Sequence, residues 1–240
     1  MNQTLKKSDA STIRLVTVAG PPSSGKTSFI LHTAAVLLEQ GLRIGIIKFD
    51  CLTGDDHKRY ERAGLPVKKG LAGALCPDHF FIANIEACVQ WGMDQGFHLL
   101  ISESAGLCNR CSPHIKGVMA VCVIDHLSGV HTPRKIGPML KNADLVVLTK
   151  GDIVSQAERE VFSFRVRQAN AKAAVLPVNG LTGQGSLLCA GHFKTAPAIH
   201  SLNGMRLRFT MPTALCSYCL GETKIGPDSQ IGNVKTMDFT

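Results

Sequence analysis

Aromatic side chains are scarce in this chain, at 5 % of its 240 residues, with a single tryptophan and two tyrosines. That scarcity bears on the formal charge of +8, which on its own would suggest a nucleic-acid partner. The densest basic cluster (Lys58, Arg59, Arg62, Lys68, Lys69) has no interleaved aromatics on which bases could stack, and the remaining basic residues are scattered. A triphosphate ligand or an acidic protein partner accounts for the excess, and nucleic-acid binding is not expected. Long apolar runs are also missing. The 118–124 run has a strand's length, well short of a bilayer span, so no membrane insertion is expected. Residues 1–11 are polar and lack the apolar core of a signal peptide, which makes a cytoplasmic protein the expectation. There is no internal repeat and no low-complexity segment. With 45 % hydrophobic and 18 % charged residues, the composition is that of a globular chain long enough for one α/β domain and an appendage.

The chain contains a glycine-rich loop, Gly20-Pro21-Pro22-Ser23-Ser24-Gly25-Lys26-Thr27. It follows a β-branched run at 13–18 and precedes a helical pattern ending near Gln40. In that context G-x-x-x-x-G-K-[ST] is a phosphate site. Backbone N–H groups of Gly20, Ser23, Ser24 and Gly25 point at phosphate oxygens, and the helix that opens through Ser28 adds partial positive charge. Lys26 would reach the β- and γ-phosphates and the Thr27 hydroxyl would hold Mg²⁺. The bland alternative is a glycine turn with no ligand.

Strand and helix signals alternate onward. Strands are predicted at 43–49, 97–102, 118–125, 144–148 and 173–177, and helices up to Ala63 and over 80–95, 133–142 and 155–169. Residues 64–73, glycine-rich and basic, read as a loop or irregular crossing, and Asp78 as the N-cap of the 80–95 helix. The alternation predicts an α/β fold, a three-layer and mainly parallel P-loop sheet over residues 12–193. Composition shifts near Lys194, so 194–240 is predicted to be a small cysteine-containing appendage. At the exit of the 43–49 strand, Asp50 or Thr53 is placed to sense Mg²⁺ or the γ-phosphate, with Asp55 or Asp56 as helix caps.

At the end of the 144–148 strand, Thr149-Lys150-Gly151-Asp152 suits guanine. Asp152 can accept from both the ring N1–H and the exocyclic amine, and the Lys150 stem can lie along the ring. The loop at Asn179 would meet the other edge of the base. GTP is therefore the expected nucleotide.

These motifs together resemble the nickel-maturation GTPases of hydrogenase and urease (the HypB and UreG type), within the dimeric GTPase and ATPase class that includes the nitrogenase iron protein. The resemblance covers roughly residues 13–192 and rests on five motifs in order: the phosphate loop, the acidic turn 50–56, Cys-Pro-Asp-His at 76–79, Glu-Ser-Ala-Gly at 103–106 and Thr-Lys-Gly-Asp at 149–152. It implies a GTP-driven switch that forms a face-to-face homodimer and serves a client metalloenzyme. By similarity Lys26, Asp50 and Glu103 are the catalytic set, with Asp50 and Glu103 close to Mg²⁺ and the attacking water, and Gly106 senses the γ-phosphate. The urease member's Cys-Pro-His motif binds nickel, which carries over to Cys76 and, past the inserted acid, to His79. Thr149 stands where asparagine is commoner in the family.

Nine cysteines in a reducing compartment read as thiols or metal ligands. Two C-x-x-C pairs, Cys108/Cys111 and Cys216/Cys219, have chelating spacing, and thiolates accept nickel, zinc or an iron–sulfur cluster. The first pair follows the 103–106 element directly, so nucleotide state is expected to open and close it. Cys88, Cys122 and Cys189 fall in regular elements and read as core residues. His114 is the histidine singled out as a further ligand, and Arg110 as an arginine acting across a dimer. The function expected is a GTP-hydrolysing metallochaperone. The alternatives are a G-protein gating cofactor loading, with only structural zinc, and a small-molecule kinase of the same sheet type.

Overall fold

The computed structural model describes residues 12–52, 54–106, 108, 110–208 and 220–239. The strands are β1 (Ile13–Ala19), β2 (Ile44–Asp50), β3 (Val67–Leu71), β4 (Leu99–Glu103), β5 (Met119–Asp125), β6 (Leu145–Thr149), β7 (Ala174–Pro177) and β8 (Ala198–Ile199). Seven of them run parallel in the order β3-β2-β4-β1-β5-β6-β7, and β8 pairs antiparallel with the start of β1. The helices are α1 (Lys26–Glu39), α2 (Asp56–Arg62), α3 (Pro77–Asp94), α4 (Thr132–Lys135), α5 (Pro138–Lys141), α6 (Gln156–Ala169) and α7 (Ser186–Lys194).

The central strands are buried on both faces, which is why they read as nearly continuous apolar runs. Alternate residues feed opposite layers. Val16, Val18, Ile44, Ile46, Leu99 and Ile101 pack with Phe29 and Ile30 of α1 and Phe193 of α7. Ile13, Leu15, Ile47, Phe49 and Leu100 face Phe80, Phe81 and Ile85 of α3. On that second side, Cys122, Ile124, Val146 and Leu148 lie under Leu140 of α5 and Phe162 and Val166 of α6. The α/β three-layer sheet is as read from the sequence, and Cys88, Cys122 and Cys189 are core residues.

Three local readings are corrected, and one helix, α7, had no reading from the sequence. The supposed loop at 64–73 contains β3, which among the described residues pairs with β2 alone, so its lysines stay partly solvated while Gly70 packs against Phe80 and Met237. The 133–142 helix is two single turns, because Gly137 adopts φ +66° and Pro138 has no N–H to continue the ladder. Asp78 is not an N-cap: α3 begins with Cys76 at that position and Pro77 inside it, which puts Asp78 in the first turn. Helix α7 carried no clear periodic signal, since Leu187 and Leu188 are exposed while Ser186, Cys189, Ala190 and Phe193 are buried.

Beyond Lys194 the chain returns to the sheet. Leu202, Leu207 and Ile225 are buried in the layer that holds Ile13 and α3. Asn84 of α3 donates to Lys235 O at 2.8 Å and accepts from Met237 N. Arg208 clasps Asp144 at 2.7 Å beside the start of β6. Cys216 and Cys219 lie outside the described residues, as does Thr53.

Candidate functional site

Parallel strands present their C-terminal ends along one edge, and nearly every residue singled out from the sequence lies there. The loop after β1 places Gly25 in a left-handed conformation at the N-cap of α1. Gly20 backs onto β5 so closely that a Cβ there would lie 2.0 Å from Val123 O. The Lys26 ammonium folds over its own loop, donating to Gly20 O at 2.9 Å and Pro21 O at 2.8 Å. Burial lowers its pKa to about 8, against the opposing pull of Glu103. Phosphate oxygens would replace those carbonyl partners and favour the charged ammonium further.

Glu103, at the end of β4, is the hub of the site. It is 1 % exposed. Its Oε1 accepts the Thr27 hydroxyl at 2.9 Å and its Oε2 accepts the Tyr60 hydroxyl at 2.7 Å. Lys48 stands beside it because the β2–β4 register pairs the two residues directly. The Lys48 Nζ is 3.2 Å from Glu103 Oε1, 3.2 Å from Asp50 Oδ1 and 3.9 Å from Asp56 Oδ2. Burial alone would lower the Lys48 pKa, but Glu103 and Asp50 more than offset it, and the net shift is upward. Asp50 Oδ2 is buried without a hydrogen-bond partner among the described residues. Thus the structure brings Lys26, Thr27, Asp50 and Glu103 together. Sequence reasoning missed Lys48 and Tyr60. Lys48 had a signal: a lysine inside the apolar strand Ile-Gly-Ile-Ile-Lys-Phe-Asp, two residues before Asp50 and so on the same face.

Behind Glu103 the chain turns through Gly106, which adopts φ +68° and sits against the phosphate loop. A Cβ at Gly106 would lie 1.7 Å from Gly20 O, so only glycine fits. On the base side, Thr149 Oγ1 donates to Ser24 O at 2.6 Å and Lys150, left-handed at φ 56°, donates to Ser23 O at 2.8 Å. Thr149 therefore braces the phosphate loop through its hydroxyl. Asp152 is exposed in a 3₁₀ turn after β6. Asn179 Oδ1 accepts from Leu181 N and Thr182 N and so shapes its own loop. Ser28, half-buried, accepts from the guanidinium of Arg59 at 3.0 Å.

The thiol cluster lies on the same edge. Asp78, Cys108 and Cys111 bring one ligand atom each to within 4.8 Å of one another. Burial raises the Asp78 pKa to about 7. Burial, with Asp78, Cys108 and Cys76 as further causes, pushes Cys111 up strongly. Cys76 is raised to about 11, chiefly by burial and against the N–H groups of His79 and Asp78 at the start of α3. Three acids that resist ionising together become good ligands only when a cation replaces their protons. His79 is buried, its Nδ1 has no partner among the described residues, and its ring does not join this set. His114 is structural: its ring bonds Thr17 Oγ1 at 3.1 Å and Met139 O at 3.0 Å. Arg110 is exposed beside the cluster. The acid inserted in Cys-Pro-Asp-His, read as a cap, is the carboxylate of the cluster.

A parallel sheet carrying a phosphate loop, a buried acid on its Thr and a Thr-Lys-x-Asp strand end defines the class of P-loop nucleotide-binding proteins. Residues 14–177 match the nucleotide-binding domain family CobW/HypB/UreG. The chain is 46 % identical over 226 residues to an uncharacterized protein of Methanocaldococcus jannaschii, covering 94 % of this chain and 97 % of that one. It is 35 % identical over 150 residues to urease accessory protein UreG 2 of Bradyrhizobium sp., covering 58 % of this chain and 69 % of that one. Among solved structures it resembles hydrogenase maturation factor HypB of Archaeoglobus fulgidus, with a TM-score of 0.60 at 20 % identity, covering 76 % of this chain and 89 % of that one. It also resembles HypB of Helicobacter pylori in complex with nickel, with a TM-score of 0.61 at 18 % identity, covering 76 % and 86 %. The chain belongs to the CobW/HypB/UreG family and is a P-loop GTPase of the HypB/UreG type. No helix among the described residues is long and apolar enough to cross a membrane.

Proposed function

We propose that this protein hydrolyses GTP and uses the nucleotide's state to control a thiolate–carboxylate metal site, delivering the metal to a client metalloenzyme. One observation carries this reading: the two sites are the two ends of one short segment. Glu103 holds Thr27, Gly106 lies against Gly20, and Cys108 and Cys111 follow within the converging set with Asp78. Cys108 is only the second residue after Gly106, so a change at the γ-phosphate that moves Gly106 has little chain in which to fade.

Binding is assigned to Gly20, Ser23, Ser24, Gly25, Lys26, Thr27 and Ser28 for the phosphates, with Gly106 against the γ end. Thr149, Lys150, Asp152 and Asn179 form the guanine side, Thr149 and Asn179 acting through the loops they shape. The residues fit Mg²⁺: Asp50 Oδ2 is a buried acceptor without a hydrogen-bond partner among the described residues, and Lys48 links Asp50 to Glu103, which holds Thr27. Thr27 would hold the ion, with Asp50 and Glu103 close by, and when bound it would neutralise charge on the β- and γ-phosphates. Lys26 leaves Gly20 O and Pro21 O for phosphate, and Glu103 and Asp50 orient the attacking water.

The transferred metal is held by Cys108, Cys111 and Asp78, with Cys76 next to them. Asp78→Ala should weaken it by roughly tenfold or more. Soft thiolates with one carboxylate suit nickel or zinc. The pairing of protomers face to face, as expected from the resemblance, would set two such clusters near one another.

The test is metal content and absorption spectrum of anaerobically purified protein, nucleotide-free and then with a non-hydrolysable GTP analogue and Mg²⁺. Metal that changes in amount or coordination between the two states, and is lost in Cys108→Ser plus Cys111→Ser, is the expected result. Metal that is absent, or indifferent to nucleotide, would sink the carrier and leave the cofactor-gating G-protein.

A further inference from the structure

The buried lysine of β2 is not needed by any part of this scheme. An ammonium enclosed by carboxylates is commonly a structural ion pair, but Lys48 is placed unlike one. It shares Glu103 Oε1 with the Thr27 hydroxyl, and it touches Asp50 through Oδ1 while Oδ2 has no hydrogen-bond partner among the described residues. Thr27, Asp50 and Glu103 are the groups that would surround Mg²⁺, and Lys48 sits among all three at 3 % exposure. Two cations cannot both occupy that position, because each would lie within a few ångströms of the other.

We propose that Lys48 is a tethered stand-in for the magnesium ion: its ammonium holds the cation position in the nucleotide-free protein and yields it only to Mg²⁺ arriving with a nucleoside triphosphate. This rests on the magnesium position assigned above. In the absence of nucleotide the ammonium neutralises Glu103 and Asp50, so that free divalent ions gain little by binding. With a triphosphate present, phosphate oxygens complete the shell of the ion and favour the exchange. The displaced ammonium has a second anchor ready, since Asp56 at the start of α2 lies 3.9 Å away and is half-exposed. Its release therefore pulls on the 50–56 turn. That turn includes Cys51, whose thiol is pushed up by burial first and then by Asp50 and Asp78. Lys48 is thus a positioning residue that makes the turn answer to Mg²⁺ and nucleotide jointly.

Mn²⁺ serves as a paramagnetic probe for the divalent position, titrated without any nucleotide and read by electron paramagnetic resonance. Unaltered protein should show no site tighter than the millimolar range. Lys48→Met should gain one site at least tenfold tighter, and Lys48→Met with Glu103→Gln should lose it again. Equal Mn²⁺ binding by unaltered protein and Lys48→Met would overturn the proposal. Should Lys48→Met fail to fold, unaltered protein still decides the matter through amine acetylation read by mass spectrometry. Lys48 labelling should rise several-fold with Mg²⁺ and a GTP analogue together, and not with the analogue in chelator. Labelling that ignores Mg²⁺ would overturn it equally. A protein that binds no GTP analogue at all would contradict the GTPase reading, while the nucleotide-free Mn²⁺ titration would still judge Lys48.

Discussion

Glu103 shows how one buried carboxylate can organise a site, with both of its oxygens engaged. Its three side-chain partners, Thr27, Tyr60 and Lys48, come from different parts of the chain. Gly106 is the residue whose chemistry is simplest to test. Its left-handed backbone and its approach to Gly20 leave no room for a methyl group. Gly106→Ala should push the 104–106 turn off the phosphate loop. The expected outcome in titration calorimetry is a loss of GTP-analogue affinity of about tenfold or more, roughly 1.4 kcal/mol. Wild-type affinity in that variant would show that the turn is not part of the nucleotide site. Glycine and the Lys-Thr pair were legible because their chemistry is local. Tyr60 was not, and Lys48 showed only as a charge inside an apolar strand, because their roles depend on a carboxylate brought from another strand.

At the scale of elements, the segment between Cys111 and β5 is anchored by His114, whose ring spans from β1 to α5 through Thr17 and Met139. Complete burial lowers its pKa from 6.5 to about 4, so the folded protein holds the ring neutral. In the unfolded chain the ring takes a proton near pH 6.5. Its contribution is therefore fully present above that pH and is lost progressively as pH falls toward 4, amounting to about 3 kcal/mol at most. Urea denaturation between pH 7 and pH 4 should show this slope, and His114→Asn should flatten it while lowering stability at pH 7. An unchanged slope in the variant would place the acid sensitivity elsewhere. The histidine next to a C-x-x-C pair suggests a ligand in sequence, whereas the fold gives both its nitrogens to hydrogen bonds. The reverse holds for Asp78: a sequence cap became a cluster member once Pro77 fixed where α3 begins.

At the scale of the whole molecule, the chain after Lys194 closes the layer that the central strands leave open. Leu202, Leu207 and Ile225 are buried there, with Met205, Met237 and Phe239 packed against the same core. At about 1.5–3 kcal/mol for each fully buried side chain, the three buried residues alone match a large share of a domain's net stability. Ending the chain at Lys194 should give a protein without a cooperative thermal transition, one that exposes Ile13 and Ile115 and binds a hydrophobic dye. A truncated chain that melts cooperatively at the full-length temperature would show that this segment is dispensable. The composition shift that marks the segment in sequence is real, but its position is set by pairing with β1 and by Arg208 on Asp144.

The sequence by itself determined the alternation of strands and helices, the phosphate loop, the Thr-Lys-Gly-Asp strand end and the family, since each rests on residues close together in the chain. Only the tertiary structure decided that Lys48 faces Glu103, that Asp78 joins Cys108 and Cys111, and that His114 belongs to the core. The physical reason is the same in each instance: charge and hydrogen bonding act through space over a few ångströms, and the register of neighbouring strands, not spacing along the chain, sets which groups come that close.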